Sequence, residues 1–436
     1  MTSRSGPTVG YGIDAALAAV SADRAIATVT ALAGDAFAGR RVGAAGNTAA
    51  RAWLAARLAD LGAAVTSDRF PVRAVPDIYA TPTARWGDRT ATTDLSFGSD
   101  ASLHLASADL PSARRGPLAL AGASDPRGHW LVVPAGTGLS EAYADADGSA
   151  GLLVARNVDA DGWQFTMLAG PDPGPLPVIT LSSPVHDTIS RVAVAGGGWF
   201  EADAPIRRAD VTAANLHGRL RSPAAREPDL LLTAHFDGVG DHPGLRQPAA
   251  ADNASGVAVV LESARVLAAA MPAGPGLSVA LLDGEEVGAL GSARHAARLA
   301  GTGADPLVVN VDGAGRLHRA AAVEAGGPAH GLLAVLDQAG RHTGVPLAAG
   351  PVASDNRRYA GAGLAAIGIG AGMAGYHSPA DTPDRVEPDT LAAITRLVVA
   401  TVWLAASTPM NFHRRSAISD RVRVVKVGGG AAVACD

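Results

Sequence analysis

The chain contains a single cysteine, Cys435, and a single lysine, Lys426, both close to its C-terminal end. One thiol excludes a disulfide within the chain and makes a thiolate metal site a poor expectation. One lysine, not set behind a Gly-x-x-x-x-Gly pattern, excludes the phosphate-binding loop and argues against Schiff-base chemistry. A large excess of one charge sign is also lacking. Thirty-six basic against 41 acidic residues leave a formal net charge of -5 over 436 residues, so the balance favours neither nucleic acid nor an anionic membrane as a partner. The most apolar run, Leu397 to Ala406, is shorter than the roughly 20 residues a membrane-spanning helix needs. The first residues, Met1 to Pro7, show no apolar stretch followed by a small-residue cleavage site. The expected location is cytoplasmic, or secreted if a leader has been removed.

What is present is a globular composition, 48% hydrophobic and 18% charged, long enough for two domains or one domain with an insertion. Residues 47–61 read as a helix capped by Asn47, with Trp53, Leu54, Leu58 and Leu61 along one stripe and Gly62 at its end. A strand follows near 64–72. Between about 100 and 207, short apolar runs at 130–133, 151–155 and 177–181 are broken by Gly, Pro, Asp and Ser, which predicts a small β-rich inserted domain. From about 208 to 409, buried-type strands at 230–234, 277–282, 307–311 and 364–369 alternate with helical patterns at 256–270 and 332–338. That alternation predicts an α/β three-layer sandwich with a mixed, mostly parallel central sheet. The expected division is 1–107 for the N-terminal part of the catalytic domain, 108–206 for the insertion, 207–409 for the main catalytic domain, and 410–436 for a tail.

Five residues carry the chemistry: His235, Asp252, Glu286, Asp312 and His377. His235, Glu286 and Asp312 fall at or just beyond the carboxyl ends of predicted strands, where open α/β sheets place their sites. Asp252 precedes a predicted helix, and His377 lies in a loop beyond the strand ending near Ile369. Two imidazoles and three carboxylates suit zinc, and one carboxylate shared between two ions offsets their repulsion. Two ions roughly 3.5–4 Å apart can lower the pKa of a water held between them to about 7. Glu285, next to Glu286 in Asp283-Gly284-Glu285-Glu286, is free to face that water as the base. Asp237 shares a face with His235 and is the expected orienter of that imidazole, as Asp381 is for His377. Alone, any one of these motifs reads as solvated charge; all of them in order do not. Two further features read more blandly: the Asp241-His242 pair as surface or core, and Arg357 with Arg358 as a solvated pair.

The segments His235-Phe236-Asp237, Ala251 to Ala258, Asp283 to Ser292, Asn310-Val311-Asp312, Ser354-Asp355 and Tyr376 to Thr382 together resemble the motif series of the co-catalytic di-zinc aminopeptidase family. That family includes bacterial leucine-type aminopeptidases, glutamate carboxypeptidase and, as a non-catalytic relative, the transferrin receptor. The resemblance covers roughly residues 225–390, and Gly39-Arg40 is similar to the family's N-terminal segment. It implies that His235 and Asp312 bind one zinc, that Glu286 and His377 bind the other, and that Asp252 bridges them. It also implies Glu285 as general base and Tyr376 as a donor to the developing oxyanion. Two positions depart from the pattern: Asn356 stands where the family usually has His, and Ser378 where Thr is common. Residues 108–206 are similar, more weakly, to a protease-associated domain.

The expectation is a metallo-aminopeptidase, a di-zinc hydrolase with two Zn2+ per chain, hydrolysing N-terminal peptide bonds through a zinc-bridging water with Glu285 as base. The partner is a peptide or amino-acid amide substrate, with neither nucleic acid nor membrane involved; the sequence does not set the oligomeric state. The alternatives on the same fold are a one-zinc glutaminyl cyclase, a carboxypeptidase or dipeptidase, an N-acyl amino acid hydrolase, and a non-catalytic receptor-like relative.

Overall fold

A computed structural model describes residues 12–407 of the chain; the expected tail at 410–436 lies outside these residues. Two mixed sheets organise the molecule. The larger has eight strands in the spatial order Ala64–Ile78, Ile206–Arg221, Gly276–Leu282, Asp229–His235, Leu307–Val311, Ala366–Gly370, Ala321–Gly326 and Leu347–Ala349. At its centre, Asp229–His235 runs parallel to both neighbours and Leu307–Val311 runs parallel to Ala366–Gly370. The strands Gly276–Leu282, Leu307–Val311 and Ala366–Gly370 are buried at every residue. Continuous apolar runs of this kind form where helices cover both faces of a sheet. Leu230, Leu232 and Ala234 join the core under the helices Ala22–Leu32, Gly256–Ala270, His330–Thr343 and Pro388–Ser407, while Leu231 joins the cluster under Leu290–Thr302 and Asn356–Gly361. The result is the three-layer α/β arrangement expected. The apolar run at 397–406 belongs to the 20-residue helix Pro388–Ser407, whose buried residues, Leu397 to Thr401 among them, account for its hydropathy.

The second sheet orders its strands Thr92–Leu95, Ala84–Gly87, Trp199–Ala204, Leu110–Leu120, Trp130–Val132, Gly151–Arg156, Val178–Ser182 and Ala101–Leu103. It therefore begins well upstream of the boundary expected at 108. The reason is the long antiparallel pair that joins the two sheets, running from Ala64 opposite Arg219 to Ile78 opposite Ile206 with one register shift between Val72 and Val75. The chain leaves the main sheet at Ile78 and returns at Ile206, so its exit and re-entry are neighbours. The sparse, alternating texture of 79–107 held no helical period to mark that exit.

The helix read at 47–61 spans Ala45–Asp60, with Leu54 and Leu58 buried. Asn47 does not cap it. That side chain is fully buried and donates to the Arg40 carbonyl (3.1 Å) and to Asp283 Oδ1 (2.9 Å). Arg40 is buried as well. Its guanidinium donates to the carbonyls of Phe236 (2.7 Å), Leu32 (2.7 Å), Pro248 (3.1 Å) and Ala249 (2.6 Å). Burial pulls its pKa below the ordinary value, against the raising effect of Asp381, Asp237, Asp252 and Glu286. One planar cation thus ties the N-terminal segment to the loops at the strand ends. Arg40→Met leaves those carbonyls unpaired in the interior and is expected to cost about 3–5 kcal/mol of stability, read by urea denaturation. Arg40→Lys should recover only part of it, because an ammonium cannot reproduce the guanidinium's fork of donors.

Candidate metal centre

The parallel strands end in the same direction, and that places their last residues together. His235 closes Asp229–His235, Asp312 directly follows Leu307–Val311, and Glu286 lies in the loop after Gly276–Leu282. Asp252 sits in the irregular turn 250–255 ahead of the helix Gly256–Ala270, and the Asp252–Asn253 peptide is cis. His377 comes from the loop after Ala366–Gly370. All five side chains are buried.

The five converge through Asp252. Its Oδ1 lies 3.3 Å from His235 Nε2 and its Oδ2 lies 3.1 Å from His377 Nε2. Asp312 Oδ1 is 3.4 Å from His235 Nε2, and Glu286 Oε2 is 3.0 Å from His377 Nε2. There are two arms, each an imidazole with its own carboxylate, and both share Asp252. Among the described residues, Asp252 Oδ1 and Glu286 Oε1 are buried without a hydrogen-bond partner. Ligand atoms of His235, Asp252 and Glu286 fall within 4.8 Å of one another. Buried carboxylates with unused oxygens need a cation, and this nitrogen-and-oxygen donor set fits zinc.

Electrostatics point the same way. Burial works to lower the His235 imidazole, but Asp312, Asp237 and Asp252 raise it well above its ordinary value. His377 is likewise raised against burial by Glu286 and Asp252. Burial tends to raise Asp252, yet the two imidazoles hold it below the usual carboxylate range. Burial is the largest cause raising Glu285 and Glu286.

The supporting shell holds two surprises. Asp237 sets its backbone carbonyl 3.3 Å and its carboxylate 3.7 Å from His235 Nδ1, and that carboxylate accepts from the backbone N–H of Glu285 and of Glu286, both at 3.2 Å. One residue thus lies against a histidine and holds the loop that carries both glutamates. Asp381 contacts the backbone beside Asp252 rather than His377, accepting from Ala251 N–H (2.6 Å) and Asp252 N–H (3.0 Å). The loop bearing His377 folds back over the turn 250–255, so a carboxylate four residues further on reaches that turn's amides first. Burial raises Asp381 to about 7, and those amides oppose it. Tyr376 stacks on His377 with ring centroids 3.8 Å apart and is 45% exposed. No hydrogen bond to its hydroxyl occurs among the described residues.

Sequence reasoning assigned no role to Asn253 or Asp355. The Asn253 carboxamide donates to the Val311 carbonyl (3.0 Å) and accepts from Gly256 N–H (2.9 Å) and Gly313 N–H (3.2 Å), tying the turn that carries Asp252 to the one after Asp312. Asp355 is wholly buried and raised to about 7, chiefly by desolvation; His235 lowers it, while Asp312 and Asp237 raise it. The Asp-Asn pair was a visible signal for the first, whereas Asp355 was seen only as part of a motif. Arg357 pairs with Glu324 (2.7 Å), and Arg358 donates to the Gly288 carbonyl (2.7 Å).

Residues 215–402 match the sequence profile of peptidase family M28. Among solved structures, the fold is similar to that of a zinc aminopeptidase from Bacillus subtilis, with a TM-score of 0.69 and 19% identity over 88% of this chain and 94% of that one. It is also similar to an aminopeptidase from Aneurinibacillus sp. strain AM-1 (TM-score 0.67, 19% identity, 90% and 96% covered). A third is a peptidase M28 precursor from Shewanella amazonensis (TM-score 0.64, 17% identity, 92% and 98% covered). At these identities the likeness is one of fold. No curated protein matches the chain in sequence.

The raised histidines and glutamates carry a consequence for pH. Without metal, the folded chain holds more protons than the unfolded chain above the ordinary values of these groups, so its stability falls as pH rises through neutrality. Bound metal displaces those protons, and its stabilising effect grows in the same direction. Thermal melts at about pH 6 and about pH 8, with chelator and with excess zinc, should show the gap in Tm widening toward the higher pH. A gap that narrows contradicts this reading of the charge balance.

Proposed function

We propose, for a chain whose residues 215–402 match the profile of peptidase family M28, that it is a two-zinc aminopeptidase releasing N-terminal residues from peptides. The observation that carries this reading is Asp252 presenting one oxygen to each of two imidazoles, 3.3 and 3.1 Å away. In it, His235 and Asp312 hold one ion, Glu286 and His377 hold the other, and Asp252 is common to both. Zinc in these positions supplies Lewis-acid polarisation of the scissile carbonyl and a more acidic water.

The chain's own groups do the rest. Glu285 takes the proton of the attacking water and returns it to the leaving amine. Asp237 fixes the Glu285 and Glu286 amides, so the base cannot drift while its neighbour stays in place. Tyr376, laid over His377, offers its hydroxyl to the oxyanion. Loss of surrounding water and then the carboxylates Asp252, Glu286, Asp312 and Glu285 push that hydroxyl above its ordinary value, so it stays a donor.

The choice of an amino terminus is supported by the family match and by the likeness of the fold to two aminopeptidases. We read the insertion, built on the second sheet, as a protease-associated-like accessory unit.

Glu285→Gln keeps the shape and the backbone bonds to Asp237 while removing the base. Turnover of aminoacyl amides should fall about 10²–10⁴-fold with bound zinc retained, checked by steady-state kinetics and metal analysis. Wild-type turnover in that variant defeats the base assignment. Hydrolysis of N-blocked but not free-amine substrates defeats the aminopeptidase reading, and saturation at one zinc per chain favours a cyclase-type site.

A further inference from the structure

Between the strands Gly151–Arg156 and Val178–Ser182 of the second sheet, the chain runs through residues 157–177 without helix or strand. An irregular segment of that length in a compact fold commonly has a task of its own. Here it is tied down at three places. A tight turn opens it, with Asp159 Oδ1 accepting from Asp161 N–H and Trp163 N–H, both at 2.9 Å. Gln164 then roots it in the second sheet. That buried side chain donates to the Ser99 carbonyl (3.1 Å) and accepts from Thr180 Oγ1 (2.6 Å), while its own amide donates to the Gly98 carbonyl (2.8 Å).

The other two ties cross to the main sheet's loops. Asp161 and Arg385 form a two-pronged ion pair, 2.6 Å on each side. Two residues beyond Gln164, the backbone N–H of Thr166 donates to the carbonyl of His377 itself, at 2.8 Å. The Thr166 hydroxyl accepts from Gln247 Nε2 (2.8 Å), and Gln247 is held in turn by its amide on Asp241 Oδ1 (2.7 Å). His377 has a φ of +52°, a left-handed backbone that a histidine keeps only where its surroundings hold it.

We propose that residues 157–168 are a brace that seats His377, with Thr166 as the positioning residue and Gln247, Asp161 and Arg385 as its supports. This rests on the reading of His377 as a metal ligand. It makes the second sheet part of the metal centre: the brace acts on the arm formed by Glu286 and His377 and leaves the arm of His235 and Asp312 alone. A residue that merely stabilised the fold would weaken both arms or neither.

The test is zinc affinity measured by competition with a chromophoric chelator, on the full chain, with circular dichroism to confirm folding. Thr166→Pro deletes the donating N–H, and Thr166→Ser keeps both it and the hydroxyl that accepts from Gln247, as the conservative control. In Thr166→Pro one of the two zinc equivalents should be held about 10–100-fold less tightly, with the other equivalent and the Thr166→Ser variant near wild type. The pair Asp161→Asn with Gln247→Leu leaves every backbone group in place and decides the matter should the proline variant fail to fold. It should weaken the same equivalent about fivefold, less than loss of the direct bond. Wild-type affinity for both equivalents in these variants overturns the brace. His377→Ala separates the two ideas. If it loses one zinc while the brace variants lose none, the brace alone is wrong; if it loses none, the ligand assignment falls and the brace with it.

Discussion

Asp252 faces two imidazoles that arrive from opposite ends of the catalytic half of the chain, His235 from a strand end and His377 from a late loop. Around it lie Glu286, Asp312, Glu285, Asp237, Asp355 and Asp381, with Arg40 as the fully buried guanidinium that feels several of them. So many carboxyl groups out of water are costly unless cations accompany them. The surrounding structure reads as a device for keeping those groups close, apart in direction, and short of positive charge.

The device has a simple logic. Parallel strands deliver ligands to one edge, because strands running the same way end on the same side. Backbone amides then hold the loops that carry them. Asp237 takes the amides of Glu285 and Glu286, Asp381 takes those of Ala251 and Asp252, and Asn253 joins its own turn to the one after Asp312. Arg40 closes the arrangement from beneath by gathering four carbonyls. The supporting polar groups thus spend their hydrogen bonds on backbone, which frees the central side-chain atoms for a ligand. The brace from residues 157–168 extends that logic to His377, the ligand held at a positive φ.

Much of this was legible in the sequence where the signal is local. Apolar runs ending at Ala234, Leu282 and Val311 marked strands whose next polar residues had to cluster, and the spacing of Val257, Val260, Leu261, Ala264 and Leu267 marked the helix Gly256–Ala270 at its observed limits. Partners supplied from far along the chain left no such trace. Asn47 has the composition of a helix cap, yet its use depends on Asp283, more than two hundred residues away. Asp381 looked like an orienter of the nearest histidine because distance along the chain stood in for distance in space. The limit at 108 missed the exit at Ile78 because a long two-stranded pairing has no periodicity that distinguishes its sheet from the next.

The central claim is that two divalent ions sit astride Asp252, and anomalous diffraction from zinc-loaded crystals, collected on either side of the zinc absorption edge, addresses it directly. The account predicts two peaks roughly 3.5–4 Å apart, one beside His235 and Asp312 and one beside Glu286 and His377, with an Asp252 oxygen on each. A single peak, or two peaks neither of which touches Asp252, contradicts it.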